Sequence, residues 1–121
     1  MAFKENQETV TFEAGSDLSS SQFHFVSLAA DGQVDATGDG AHADGVLQND
    51  PSAQGRAAEV AISGKVQVKC GGNTTTGGPV ASDSSGKAVD ATSGDVILGT
   101  FVTSGANDEI VTMLFEPRGA A

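Results

Sequence analysis

At 121 residues and 12.1 kDa the chain fits one ordinary domain. Its formal net charge of −10 and pI near 4.2 disfavour nucleic acid and membrane surfaces as partners, because both are themselves anionic. Cys70 is the one cysteine, so no intrachain disulfide is possible and the secreted disulfide-scaffold class drops out.

The core ingredients are lean. All six aromatic residues are Phe, so valine, isoleucine and alanine must do most of the filling. Such a core implies a thin sandwich or barrel, or one completed by a partner chain. Helical signals are nearly missing: sixteen glycines interrupt the chain at short intervals, and each costs a helix about 1 kcal/mol relative to alanine. Short β-like runs bounded by Gly, Asn, Asp and Ser occur instead.

In chain order, Met1-Ala2-Phe3-Lys4-Glu5-Asn6 lacks the apolar run of a signal peptide. No later stretch approaches the roughly 20 apolar residues that cross a bilayer as a helix. The expectation is a soluble protein made in a cytoplasm. Residues 8–13 place Val10 and Phe12 on one face. They form either a first strand or an extended N-terminal arm over residues 1–14. Residues 23–28 set Phe23 and Phe25 against His24 and Val26. Residues 31–50 carry five aspartates and no Lys or Arg. Residues 58–63 alternate Ala58, Val60 and Ile62 with Glu59, Ala61 and Ser63. After Gly64, which suggests a tight turn or bulge, comes the cleanest strand, 65–70. There Val66, Val68 and Cys70 share one face and Lys65, Gln67 and Lys69 the other. The runs 96–102 and 110–115 are apolar on both faces, which marks central strands or strands covered by another subunit. Pro117 onward reads as an irregular end.

The order of these elements repeats. Val34-Asp35-Ala36-Thr37 recurs as Val89-Asp90-Ala91-Thr92, each after a glycine turn. Gly45-Val46-Leu47 is echoed by Ile97-Leu98-Gly99. Each half then crosses a polar segment and enters a strand led by an acid, Glu59-Val60-Ala61-Ile62 and Glu109-Ile110-Val111-Thr112. The spacing drifts between about fifty and fifty-five residues, so one unit is duplicated and the chain is no solenoid. The halves fall at about 15–70 and 79–115, with Gly71–Pro79 as the joint. Each half offers an apolar face for the other to cover.

Motifs for chemistry are incomplete. Gly72-Asn73-Thr74-Thr75-Thr76-Gly77 begins like a phosphate loop, but Gly78-Pro79 stands where lysine and a hydroxyl residue belong. Gly38-Asp39-Gly40 lacks the third glycine of a dinucleotide fingerprint. Asp31, Asp35, Asp39 and Asp44 miss the every-second-position register of a calcium loop, so hairpin turns are the better use for them. Two histidines, His24 and His42, are too few for a multi-histidine zinc site. No G-x-S-x-G elbow supports a serine nucleophile, and Cys70 continues an apolar face as a small buried hydrophobe. The expectation is a protein that is not an enzyme and needs no cofactor and no metal.

Together the motifs resemble the small decoration (cement) proteins of tailed-phage capsids, of the DUF2190 type. The resemblance runs through Leu28–Thr37 and Val80–Gly99. Gly64-Lys65-Val66-Gln67-Val68-Lys69-Cys70-Gly71-Gly72 looks like that family's central strand. It spans roughly residues 15–115. It implies an all-β fold, a compact β-barrel or β-tulip-like sandwich of two related halves with an extended N-terminal arm. It also implies a place on the outside of an assembled phage head, bridging major capsid proteins, with a mechanical role. The partners would be the major capsid protein and further copies of the chain in a homotrimer. Phe3, Val10 and Phe12 are the expected capsid contacts, and Phe101, Ile110, Met113 and Phe115 the expected trimer contacts. The competing expectation is another phage structural β-module, of tail fibre or baseplate, or a surface-adhesin domain that binds a receptor.

Overall fold

The computed structural model describes residues 5–120. Among them are nine strands and no helix: β1 (Glu5–Ala14), β2 (Phe25–Ala30), β3 (Gln33–Ala36), β4 (Gly45–Leu47), β5 (Ala57–Lys69), β6 (Pro79–Ser82), β7 (Ala88–Asp90), β8 (Gly99–Phe101) and β9 (Ile110–Phe115). The all-β expectation holds. All nine belong to one hydrogen-bonded sheet in the order β1-β3-β2-β4-β5-β9-β8-β6-β7, and β1 also pairs with β5.

That last pairing closes the first five strands into a ring. β5 then serves a second ring. Its C-terminal half pairs with β9, the order continues through β8 and β6 to β7, and a parallel bridge from Cys70 to Ala88 returns to the end of β5. The two runs 58–63 and 65–70 are therefore one thirteen-residue strand. Gly64 sits between them at φ 88°, and the β1 ladder slips there, between Glu5↔Lys65 and Glu8↔Ser63. Gly64 is the site of a bulge and reverses nothing. The joint between the rings accordingly lies inside β5 and not at Gly71–Pro79.

The rings follow the same path. A shift of 54 positions (26 to 80, 45 to 99) carries the pair Val26↔Gly45 onto Val80↔Gly99. The same shift carries Val26↔Ala36 onto Val80↔Asp90. Even irregular contacts repeat: Thr37 N donates to Phe25 O, and Ala91 N to Pro79 O. The parallel closures match too, Ala14↔Val34 in one ring and Cys70↔Ala88 in the other. This register corrects three alignments made on residue identity. Val34 corresponds to Ala88 and not to Val89, so the two V-D-A-T segments are out of step by one. Gly45-Val46-Leu47 corresponds to Gly99-Thr100-Phe101. Val60 corresponds to Met113, so the acids Glu59 and Glu109 are not equivalent.

Alternation decides which side chains meet. Ala14, Leu18, Val26, Val34, Leu47, Ala58 and Val60 fill the first ring. At the places matching all of these but Leu18, the second ring has Cys70, Val80, Ala88, Phe101, Val111 and Met113, all buried. Phe101 replaces Leu47 and Met113 replaces Val60, while Ala88 is smaller than Val34. Such exchanges keep the total filling volume workable. Phe25, Val46 and Ala61 lie one position off the first ring's interior and join the second core. The ring of Phe25 lies 6.3 Å from that of Phe115, tilted by 35°.

One local expectation fails and another is refined. Phe23 is not in a strand: its φ of 66° breaks the alternation, and β2 begins at Phe25. The end of the chain is irregular in conformation, as expected, but it is tied down. Glu116 N donates to Leu98 O, Arg118 N to Ile97 O, and Ile97 N to Gly119 O, which ties residues 116–119 along the segment before β8.

Candidate interaction surfaces

Among the expected capsid contacts, Phe3 lies outside the described residues. Val10 stands opposite Val60 and is 37% exposed. Phe12 stands opposite Ala58 and is half-buried against the first core. Residues 5–14 are thus the first strand of the chain's own sheet and not a free arm. Thr11 Oγ1 donates to Glu59 Oε1 at 2.6 Å, tying the same strand to β5 from its other face.

The expected trimer contacts are placed differently. Phe101, Met113 and Phe115 are 1%, 0% and 3% exposed and pack in the chain's own second core. Burial there leaves them no surface to offer a partner. Ile110, opposite Lys69, is half-buried. Among the described residues, the exposed large apolar side chains are Val10, Leu28 at 50% and Leu114 at 38%. Leu114 was inside a run apolar on both faces, and nothing in that run distinguished it from its buried neighbours. Leu114 occupies the place of Ala61, which the second ring covers; its neighbours there are half-exposed Thr100 and exposed Pro79, equivalent to buried Val46 and Phe25. The second ring therefore leaves open the face that it covers on the first.

The aspartates are bonded within the fold, Asp83 and Asp95 in local turns and Asp35, Asp44 and Asp90 to distant segments. Asp35 accepts from Ser16 Oγ at 2.6 Å, and Asp44 from Leu28 N at 2.8 Å. Asp83 accepts from Ser85 N and Lys87 N, Asp90 from Thr75 N and Oγ1, and Asp95 from Thr92 N and Oγ1. No group of three or more His, Cys, Asp or Glu is placed to hold a metal ion among the described residues. His42 is exposed, 3.5 Å from Asp44. Lys87 Nζ donates to Asp108 Oδ1 at 2.7 Å on the surface, which holds the carboxyl below and the amine above their ordinary ranges. Burial pushes the Cys70 thiol up, away from the reactive thiolate.

An open recess of about 400 Å³ is lined by Asn49, Asp50, Pro51, Ser52, Arg56 and Ala57. Asn49 is committed to the fold, since its Nδ2 donates to Ala57 O at 3.0 Å and its Oδ1 accepts from Glu59 N at 2.9 Å. Thr103 repeats half of this in the second ring, accepting from Thr112 N at 3.0 Å. Asn49→Ala should cost about 1–2 kcal/mol in urea unfolding, because it orphans two backbone groups at the start of β5. An unchanged midpoint would mean that water replaces both bonds.

No family model matches the sequence, and no curated protein matches it. A solved structure does: the N base of the head fiber protein gp8.5 of bacteriophage phi29. It superposes with a TM-score of 0.73 at 18% identity, over 94% of this chain and 98% of that one. At that identity the likeness establishes a shared fold.

Proposed function

We propose that the chain is a structural protein of a phage head, a decoration (cement) protein on the capsid exterior that bridges major capsid proteins. One observation carries the proposal: the fold matches, nearly end to end, the base of a protein that belongs to a phage head fiber. The sequence resemblance to decoration proteins points the same way. The body is suited to a mechanical role, with polar groups bound up in turns and strands tied by two closed rings. The work it does is to add buried area between capsid subunits. Each contact adds a modest free energy, and many copies on one shell multiply it. The proposal is of a non-enzymatic role, with the major capsid protein and further copies of the chain as partners.

The fiber-base likeness also favours a second role, as a platform that carries another protein away from the head. The two are separated by what binds the exposed side of the domain once it is docked.

The test is to mix the purified protein with assembled heads that lack it, then sediment and heat them. Saturable binding and a higher temperature of DNA release are expected. No co-sedimentation at micromolar protein would end the proposal. Removing residues 1–4 isolates the contribution of Phe3, because β1 pairs with β5 from Glu5 onward. Lost head binding by a still-folded protein assigns a contact to that segment; full binding removes it. For the homotrimer, the exposed Leu114 surface replaces Phe101, Met113 and Phe115 as the proposed contact. Light scattering of the wild type and of Leu114→Lys tests that placement: a trimer that persists in the variant refutes it.

A further inference from the structure

His24 is 5% exposed and uses only one side of its ring. Nδ1 lies 2.8 Å from Ser85 O. A carbonyl can only accept, so Nδ1 carries the proton and the neutral ring presents Nε2 as an acceptor. Nε2 is buried and has no hydrogen-bond partner.

The segment around this ring fastens the two halves of the molecule together. Phe25 N donates to Gly86 O at 2.6 Å, and Lys69 N to Phe23 O at 2.8 Å. Phe23 N donates to Leu47 O at 2.7 Å, and Leu47 N to His24 O at 2.9 Å. Gly86 is needed for this approach: at φ 87°, a Cβ there would stand 2.8 Å from Phe25 O and 3.3 Å from His24 Cβ. Phe23 is held at φ 66°, a backbone state that a bulky residue adopts only under constraint. The charged groups that act on the ring are Lys69 at the end of β5, Lys87 and Asp83 in the turn after β6, and Asp108 before β9.

We infer that His24 is an acid-released latch between the rings: a proton taken up at Nε2 expels the imidazole and frees residues 22–25 from the 83–87 turn and from β5. Protonation would create a buried donor with no acceptor, beside Lys69 and Lys87 and next to a Phe23 whose backbone is already strained. Burial holds the basicity of His24 below its ordinary value of 6.5, opposed by the bond to Ser85 and reinforced by Lys69 and Lys87. The sign follows directly. The released segment binds the proton at the ordinary value and the closed one only at lower pH. The closed state is fully favoured above 6.5 and loses that advantage as pH falls from 6.5 towards the depressed value.

Amide hydrogen exchange on the full chain, corrected for intrinsic rates and read by NMR from about pH 7.5 to about pH 5, tests this. Protection at Phe25 and Lys69 should fall by about tenfold for each unit by which the basicity of His24 is depressed. The amides of the β5–β9 ladder should stay protected. His24→Gln should make Phe25 and Lys69 indifferent to pH, and His42→Ala should leave the wild-type fall intact. A flat wild-type profile, or a fall that survives in His24→Gln, would overturn the latch. If His24→Gln does not fold, the histidine signals of the wild type decide. His24 titrating together with the loss of protection supports the latch, and titrating with both amides still protected refutes it.

Discussion

Gly99→Ala is expected to cost about 3–5 kcal/mol, a large part of the 5–15 kcal/mol that holds a domain of this size together. Gly99 opens β8 at φ 156°, where it crosses β9. A Cβ built there collides with Leu114 O, meets Met113 Cε at 2.8 Å and comes within 3.0 Å of Leu114 C. The obstruction is backbone on a paired strand, so it cannot swing aside as a side chain tip would. Gly45 stands at the matching place of the first ring, and a Cβ there would lie 2.6 Å from Ala61 O. Ala61 and Leu114 are themselves equivalent in the strand registers. Gly45→Ala should therefore be comparably damaging, and both should lower the urea midpoint at constant slope. Tolerance at either site would mean that the strand crossing can open, against the close approach described for both rings.

The second large effect is expected at Phe25. Phe25→Ala should lose about 3–5 kcal/mol by urea unfolding, the range for emptying a phenylalanine site in a packed core. Its ring is fully buried, touches Phe115 and belongs to the second core although its strand belongs to the first ring. It thus links the two units through packing, as β5 links them through the chain. Its structural counterpart, Pro79, is exposed, so Pro79→Ala should stay within about 0.5 kcal/mol of wild type. Equal effects at the two positions would contradict the asymmetry between the covered and the open ring face.

The strand of Lys65–Cys70 was legible because its alternation is strict and half its face is wet. Its continuity with 58–63 was not, because a single glycine between two runs is compatible with a turn or a bulge, and only the distant partners β1 and β9 choose. The duplication was visible as an order of features, but its register was not. Identity aligns Val34 with Val89, whereas the closed rings require an inward residue. Ala88 is inward and fully buried, and Val89 is half-buried. The run 110–115 shows the same limit for contacts. Apolar residues on both faces mean two covered faces, and the cover here comes largely from this chain, with Leu114 left outside. An interaction surface made of scattered exposed residues on short strands leaves no periodic mark, so the site was far less readable than the fold.

A reconstruction by electron cryomicroscopy of heads saturated with the protein tests the central proposal most directly. The account predicts two-ring density on the outer surface of the shell, each copy touching more than one major capsid subunit. Density confined to the tail, or bare capsids under saturating protein, would contradict it.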